Sequence, residues 1–225
     1  RSMMRSPMSY NSQVGVPLSL FLLEEEHELA LIEAGISQPG EMARLEDIIR
    51  PDIGIITNIG EAHQENFHSL DEKLTEKLIL FSGSKKLYYC KDYKLIDQYI
   101  KELPAEKVSW GTDEESDYTI RIEKKENNTT IHIQKDHLYH FTVQYTDDAS
   151  LENILHVVVF MLDSGYSWSH INQSISKLEP VEMRLEILKG INGCTLINDS
   201  YNSDILSLSN ALDVLNHQKQ NVSRT

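Results

Sequence analysis

Hydrophobic residues in the first 110 positions alternate between short continuous runs and helical spacing. The runs at 28–33, 52–58, 86–90 and 108–110 are typical of buried strands, and the stretches at 40–49, 70–81 and 95–103 carry apolar residues at helical intervals. Strands that alternate with helices in this way indicate βαβ units and a parallel sheet. The pattern therefore predicts an α/β fold with a mostly parallel sheet flanked by helices.

The pattern changes after position 117. Residues 118–123, 129–134 and 140–145 alternate apolar and polar side chains, with turn residues Asn127, Asn128, Lys135 and Asp136 between them. This alternation is typical of a small antiparallel β meander. Two helices are predicted next, at 151–164 and 169–178, and Pro180 ends this part of the chain.

A new structural unit is predicted beyond Pro180. Two strands and one helix are predicted there, at 184–188, 194–198 and 203–215. These three elements are too few to bury the core of a folded domain. We therefore expect one domain at 1–180 and the beginning of a second domain at 181–225.

Composition and charge narrow the class of function. The chain has 225 residues, 40% of them hydrophobic, so it can bury a core without disulfides. The net charge of −14 argues against nucleic acid as a partner, and the longest apolar runs, at 16–23 and 155–162, are too short for membrane insertion. Cys90 and Cys194 are predicted to be buried thiols, and the lack of a signal sequence predicts a cytoplasmic protein.

The first candidate site combines Glu33, His63 and Lys77. Glu33 ends one predicted strand and His63 follows another, and the carboxyl ends of parallel strands open into a shared crevice. Carboxylate and imidazole can bind Mg²⁺ or Mn²⁺, and the segment from Glu24 to Lys77, with 14 acidic and 4 basic residues, would need such a cation in order to accept phosphate groups. From the pattern alone, the alternative to a metal site is that Glu33 is solvated and that His63 and Lys77 are ordinary surface residues.

Two polar segments are further candidates. Residues 6–18 form a polar loop that contains Asn11 and Ser12 and could hold a sugar or a peptide. Residues 198–203 place Asp199, Tyr201 and Asn202 between a strand and a helix. The alternatives are an ordinary loop and a helix cap, and periodicity does not distinguish them.

In this order, the segments resemble the Mur ligase family. The matching stretches are YNSQVGVP at 10–17, EAG at 33–35, PGE at 39–41, TNIGEAHQENF at 57–67, LEPV at 178–181, RLE at 184–186 and NDSYN at 198–202. The resemblance extends over nearly the whole chain. It implies a central ATP-binding domain related to phosphate-loop NTPases, followed by the start of a C-terminal Rossmann-like domain.

The resemblance also implies roles for individual residues. Glu33 and His63 fall at the positions of magnesium ligands, and Lys77 falls where the family has a lysine that CO₂ carbamylates, so His63 and Lys77 are also the implied catalytic residues. The implied nucleotide contacts are Asn153 for adenine, and Arg184 and Asp199 for the phosphates and ribose. The implied substrate-binding residues are Asn11, Ser12, Tyr201 and Asn202.

The family branch that these motifs favour adds D-alanyl-D-alanine to UDP-N-acetylmuramoyl-tripeptide. The implied reaction is ATP-dependent amide ligation through an acyl phosphate, in the synthesis of peptidoglycan precursors. ATP and Mg²⁺ are the implied cofactors, and pyridoxal phosphate would enter only if the ligase were fused to an alanine racemase.

Several positions depart from the family pattern. No Gly-x-x-Gly-Lys-Thr or Gly-x-x-Gly-Lys-Ser phosphate loop occurs in these 225 residues, so we expect this chain alone to be an inactive fragment of the ligase. Glu152 stands where the family often has His, and Asp204-Ile205 where it often has Asn-Pro. Two alternatives remain open: a non-catalytic binding module on the same scaffold, and a folylpolyglutamate-type amide ligase.

Overall fold

Two compact units make up the computed structural model, Arg1–Asp117 and Tyr118–Thr225. The structure describes residues 2–7, 9–60, 66–179 and 186–200, together with positions 208, 209, 211, 212 and 215. No helix within these ranges combines the length and the apolar character needed to cross a membrane. The domain boundary predicted at residue 180 lies outside the described residues and stays a prediction.

The first unit opens with a two-stranded parallel sheet, one strand of which the hydrophobic pattern does not predict. Strand β1 (Met3–Arg5) pairs with β2 (Leu29–Leu31), and helix α1 (Gly15–Leu20) lies between them in sequence. Strand β2 spans three residues, whereas the pattern predicts six, because β1 offers only three residues as partners. These two strands form a sheet of their own and do not join β3.

Three parallel strands form the larger sheet of this unit, in the order β3 (Ile53–Ile56), β4 (Lys86–Cys90) and β5 (Glu106–Gly111). The helices that precede them in the chain are α2 (Glu41–Ile49), α3 (Leu70–Ile79) and α4 (Lys94–Ile100). The predicted alternation of strands and helices, and with it the α/β class, is confirmed.

Two hydrophobic clusters hold these layers together. One contains Leu74 of α3, Leu87 of β4 and Ile100 of α4, none of which has measurable exposure to solvent. The other contains Val16 of α1 and Leu45 of α2. Because burial of one such side chain contributes about 1.5–3 kcal/mol, the first cluster fixes α3 and α4 on the sheet and the second joins α1 to α2.

Gly54 lies at a point of close approach in β3. A Cβ atom at this position would lie 2.4 Å from Cδ1 of Phe81 and 2.6 Å from Cδ2 of Leu87. The absence of a side chain lets Phe81, just after α3, pack directly on β3. Gly54 therefore helps to set the position of α3 relative to the sheet.

The second unit begins with the predicted antiparallel meander, formed by β6 (Tyr118–Lys124), β7 (Thr129–Gln134) and β8 (Leu138–Val143). Strand β8 begins two residues earlier than predicted, because Gln134 pairs with Leu138 across a three-residue turn. It also ends two residues earlier, because Thr129, the first residue of β7, pairs with Val143.

Helices α5 (Asp148–Asp163) and α6 (Trp168–Ile175) follow the meander. The Asp147 carboxylate caps α5, accepting a hydrogen bond at 2.7 Å from the amide three residues on, and the Ser167 hydroxyl caps α6 in the same way at 3.3 Å. Each cap satisfies an amide that the helix itself leaves without a partner. Helix α5 begins three residues before its predicted start and α6 one residue before, because each helix starts directly after its capping residue.

A hairpin of β9 (Glu186–Lys189) and β10 (Thr195–Asn198) ends the continuously described part of the chain. The five described positions between 208 and 215 are helical, in line with the predicted helix. Cys90 is buried as predicted, but Cys194 is exposed, so that prediction is wrong for Cys194. Cys194 directly precedes β10, whose first two residues are also exposed, and the hairpin therefore gives it no buried face.

Candidate functional site

Glu33 lies just beyond β2 and is held against the loop that precedes α1. Nδ2 of Asn11 donates a hydrogen bond to Oε1 of Glu33 at 2.8 Å. The backbone is held as well: the Glu33 amide donates to the Ser6 hydroxyl at 3.2 Å, and the Gly35 amide donates to the Asn11 carbonyl at 2.7 Å. Because the Glu33 side chain is exposed, these contacts direct a carboxylate that solvent and ligands can reach.

Two glutamates hold the turn that follows Glu33 and leads into α2. The Glu41 carboxylate accepts hydrogen bonds from the amides of Ser37 and Gln38 at 2.6 and 3.0 Å. The carboxylate of Glu76, on α3, accepts from the Gly40 amide at 2.7 Å and so caps the start of α2. An anionic group at a helix N-terminus is stabilising, and Glu76 ties α3 directly to this turn.

A cleft of about 80 Å³ lies along the carboxyl-terminal half of β3 and the two residues that follow this strand. Its polar lining comes from Thr57 and Asn58, which follow β3, and from Lys77 on α3, while Ala34, next to Glu33, lies on another wall. Ligands of open α/β sheets bind beyond the carboxyl ends of the strands. The cleft thus lies where the topology favours a binding site.

The surroundings of Lys77 lower the pKa of its amine. Burial lowers its pKa below the ordinary value, the positive charge of Lys73 lowers it further, and the negative charge of Glu33 acts in the opposite direction. A larger fraction of this amine is therefore neutral at a given pH than of an exposed lysine. Only the neutral amine can act as a nucleophile, for example toward CO₂.

Lys73 lies one helical turn before Lys77 and is almost completely buried, with 3% of its surface exposed. Its Nζ donates a hydrogen bond at 2.6 Å to the carbonyl of Gly60, in the segment that follows β3. Residues four apart lie on the same face of a helix. Two lysines of α3 therefore approach the carboxyl end of β3 together.

The structure describes two of the three residues predicted to bind metal. The charge of Glu33 acts on Lys77, whereas His63 lies outside the described residues. Within the described ranges, no three His, Cys, Asp or Glu side chains are grouped so that they could hold a metal ion. The Glu33 carboxylate suits Mg²⁺, which prefers oxygen ligands, and Lys77 would suit it only after its amine had been converted to a carbamate.

The other predicted substrate residue of the first loop, Ser12, has a local contact. Its hydroxyl accepts a hydrogen bond from the Gly15 amide at 3.1 Å, at the start of α1. Ser12 is exposed and therefore remains accessible to a ligand while it makes this contact.

The predicted nucleotide-binding residues lie in the second unit. Asn153 is exposed on α5, and Asp199 directly follows β10. Arg184, Tyr201 and Asn202 lie outside the described residues.

A sequence profile described as the Mur ligase middle domain matches residues 2–161 of this chain, a range that contains Asn11, Glu33 and Lys77. The chain belongs to the Mur ligase family. The match extends from β1 through most of α5, so it covers both the loop of Asn11 and the helix of the two lysines.

Curated relatives of this Mur ligase chain match it along most of its length. The UDP-N-acetylmuramoyl-tripeptide–D-alanyl-D-alanine ligase of Bacillus subtilis is 26% identical over 219 residues, which cover 92% of this chain and 45% of the relative. The chain spans about half the length of the curated relatives that it matches over most of its own length.

Solved Mur ligase structures share the fold. MurF from Acinetobacter baumannii superposes with a TM-score of 0.83 at 21% identity, covering 97% of this chain and 49% of that protein. MurF from Thermotoga maritima, solved in complex with ADP, gives 0.82 at 22% identity, covering 96% and 51%. A folylpolyglutamate synthase from Thermotoga maritima gives a lower TM-score of 0.63 at 13% identity, covering 89% and 47%.

Sequence reasoning missed Lys73 and Glu76 in this Mur ligase chain. The spacing of Lys73 and Lys77, four residues apart beside the apolar positions Leu74 and Leu78, was a signal that both lysines approach the buried face of α3. The role of Glu76 has no such signal, because its partner, the Gly40 amide, is 36 residues away.

Proposed function

We propose that this chain is part of an ATP-dependent amide ligase that joins D-alanyl-D-alanine to UDP-N-acetylmuramoyl-tripeptide during the synthesis of peptidoglycan precursors. The names of the relatives support this pair of substrates, and the ADP bound to the Thermotoga maritima protein supports ATP as the nucleotide. The observation that carries the proposal is the hydrogen bond from Asn11 to Glu33, which directs a carboxylate at the edge where Lys77 lines the cleft.

The proposed reaction has two steps. The terminal carboxylate of the tripeptide attacks the γ-phosphorus of ATP, forming an acyl phosphate and releasing ADP. The amine of D-alanyl-D-alanine then attacks the acyl carbon, and the tetrahedral intermediate loses phosphate and a proton to give the amide. Both steps concentrate negative charge on phosphoryl oxygens, so they need positive charge around the phosphoryl group.

The proposed Mg²⁺ ligands are Glu33, His63 and Lys77. His63 and Lys77 are also the proposed catalytic residues. A bound Mg²⁺ would neutralise charge on the transferring phosphoryl group. Asn11 orients the Glu33 carboxylate, and this orientation is present without a bound ligand. The surrounding acidic segment supports the proposal, since without a cation it would repel ATP.

Lys77 is proposed to act as a carbamate. Its neutral amine would attack the carbon of CO₂, form an N–C bond and release one proton, which converts a cation into an oxygen ligand. Its position on the wall of the cleft supports this modification. The new carboxylate would then lie near Glu33, and the two together would offer the oxygen donors that Mg²⁺ prefers.

The second unit is proposed to supply contacts to the nucleotide and the peptide. Asn153 would read the adenine, Arg184 and Asp199 would contact phosphates and ribose, and Tyr201 and Asn202, with Asn11 and Ser12 of the first unit, would contact the substrate. Asn153 is exposed on α5, which supports its proposed role because a ligand can reach its side chain. A boundary between a central domain at 1–180 and a following Rossmann-like domain from 181 is part of the same proposal, as is a cytoplasmic location.

Activity is expected only in the complete natural protein that contains these residues. The missing phosphate-loop motif would have to be supplied from outside the 225 residues, because its lysine and amides hold the β- and γ-phosphates of ATP. Pyridoxal phosphate would belong to a fused racemase and to no residue of this chain.

The test is a ligation assay on the complete protein. Phosphate release is measured with ATP, Mg²⁺, the UDP-linked tripeptide and D-alanyl-D-alanine, for the natural protein and for Glu33→Gln and His63→Ala. We expect each substitution to lower kcat by about 100-fold or more. Glu106→Gln is the matched control, since Glu106 is exposed at the amino end of β5 and pairs with Lys86 at 2.9 Å.

The outcomes separate the competing functions. Full activity in both site variants would overturn the metal assignment. Phosphate release only with a folate and glutamate would identify a folylpolyglutamate-type ligase, and nucleotide binding without release under any condition would identify a non-catalytic module.

A further inference from the structure

Lys73 has an unfavourable position for a charged side chain. It is 3% exposed, and it is the fourth residue of α3, whose first turn also carries the expected acidic residues Asp71 and Glu72. Burial of an ammonium group is costly, and a positive charge near a helix N-terminus is disfavoured by the helix dipole. A leucine or methionine would fill the same place without either cost.

One contact that offsets part of these costs leads to the candidate site. Nζ of Lys73 donates to the Gly60 carbonyl at 2.6 Å, a short distance typical of a hydrogen bond from a charged donor. Gly60 lies two residues beyond Asn58, which lines the cleft with Lys77. The buried cation therefore holds the backbone at the exit of β3, where a glycine would otherwise allow wide freedom.

The position of Gly60 matters for the cleft. Thr57 and Asn58, three and two residues before Gly60, line the cleft with Lys77, so an anchor at Gly60 helps to fix this part of the lining. The same helix carries Lys77 one turn later, so α3 contributes both the anchor and a candidate ligand.

We propose that Lys73 is a positioning residue of the ligase site, acting through the Gly60 carbonyl to hold the segment of residues 57–60, which follows β3, in place. The proposal rests on the proposed function, because the segment matters only if the cleft beyond β3 is the active site. It assigns Lys73 no contact with substrate or nucleotide.

The test compares Lys73→Met with Lys73→Arg in the complete protein. Methionine has a similar length and removes the donor, whereas arginine keeps the positive charge and can donate to the same carbonyl. We expect Lys73→Met to lower kcat/KM for ATP by about 10–100-fold, the usual cost of losing a residue that orients a ligand. Lys73→Arg should recover most of that loss.

Two further measurements separate positioning from a role in stability alone. The Tm of Lys73→Met should stay close to that of the natural protein, because an apolar side chain suits the buried place. Hydrogen exchange should accelerate in peptides that cover residues 57–66 but not in those that cover β4. Lys85→Met is the control, since Lys85 is exposed and pairs with Asp52 at the other end of the sheet.

The result that overturns the proposal is an unchanged kcat/KM in Lys73→Met, or a loss that follows a lowered Tm and is not relieved in Lys73→Arg. Failure of the proposed function has a different signature. If the natural protein shows no ligase activity, the exchange measurement still reports whether Lys73 anchors Gly60, and unchanged exchange in residues 57–66 would refute the anchor itself.

Discussion

The side chain of Asn11 donates a hydrogen bond to Glu33 at 2.8 Å, although 22 positions separate the two residues in sequence. Both partners are accessible at least in part, so the bond adds no more than about 1 kcal/mol to stability. Its importance lies in direction, because it leaves the second oxygen of the Glu33 carboxylate available to a ligand.

Removal of this bond should therefore affect activity more than stability. We expect Asn11→Ala to lower kcat/KM of the complete protein by about 10–100-fold, since the Glu33 carboxylate loses the group that orients it. Steady-state kinetics and thermal unfolding measure the two effects. Asn128→Ala, in the turn between β6 and β7, is the control, and natural kcat/KM in Asn11→Ala would contradict the assignment.

Lys77 offers a test by chemical rescue. Lys77→Ala should lose activity and recover part of it in the presence of acetate or propionate, because a short carboxylate can occupy the space vacated in the cleft. Lys77→Met should be equally inactive but should not respond, since its side chain fills that space. Activity is measured over a range of carboxylate concentrations, and the absence of rescue in Lys77→Ala would count against a carbamate.

Gly54→Ala should destabilise the first unit. The added Cβ atom would lie 2.4 Å from a ring carbon of Phe81, so the end of α3 must shift away from β3. Overpacking of this kind costs about 1–3 kcal/mol. Urea unfolding measures the loss. Gly83→Ala serves as the control, because its nearest contact would be a side-chain oxygen of Glu46 at 3.4 Å, and equal stability of the two variants would contradict the close packing at Gly54.

The Asp97 carboxylate should make stability depend on pH at the acidic end. Burial raises its pKa, but hydrogen bonds from Lys101 and Tyr89, at 2.7 and 2.8 Å, outweigh that effect and leave the pKa below its ordinary value of 3.8. A carboxyl whose pKa is lower in the folded state stabilises fully above its unfolded pKa, and this contribution is lost as pH falls through the folded pKa.

We therefore expect the difference in unfolding free energy between the natural protein and Asp97→Asn to be about 1–3 kcal/mol at pH 7 and to shrink below about pH 4. Urea unfolding at pH 7, 5 and 3 measures it. Asp136→Asn, in the exposed turn after β7, is the control for the substitution itself, and a difference for Asp97→Asn that stays constant over the three pH values would refute the explanation.

The hydrophobic pattern predicts the larger strands well, because their side chains are buried and their composition reflects it. Strands β4 and β7 coincide with the predicted ranges 86–90 and 129–134. The pattern fails for β1, where only Met4 is buried and three residues give too short a signal. It also misplaces β8, whose limits depend on the partner residues Thr129 and Gln134 and not on its own side chains.

The candidate site shows the same division. The hydrophobic pattern predicts that Glu33 lies at the end of a strand, whereas only the family resemblance indicates Lys77, and the roles of both residues stay predictions. The hydrogen bonds of Asn11 to Glu33 and of Lys73 to Gly60 could not be predicted, since each joins segments whose distance in space depends on the complete fold.

The short pairing of β1 with β2 has a consequence for changes in chain length. The hydrogen bonds that join Ser6 and Asn11 to Glu33, after β2, extend this pairing, so the pairing of the two strands sets the alignment of one loop with the other. Deletion of one residue within β1 would displace that loop by about 3.3 Å and turn its side chains to the opposite face. Insertions between Leu22 and Glu28, where the residues are mostly exposed, leave the alignment intact. Natural variants of this protein should therefore differ in length between α1 and β2, and not within either strand.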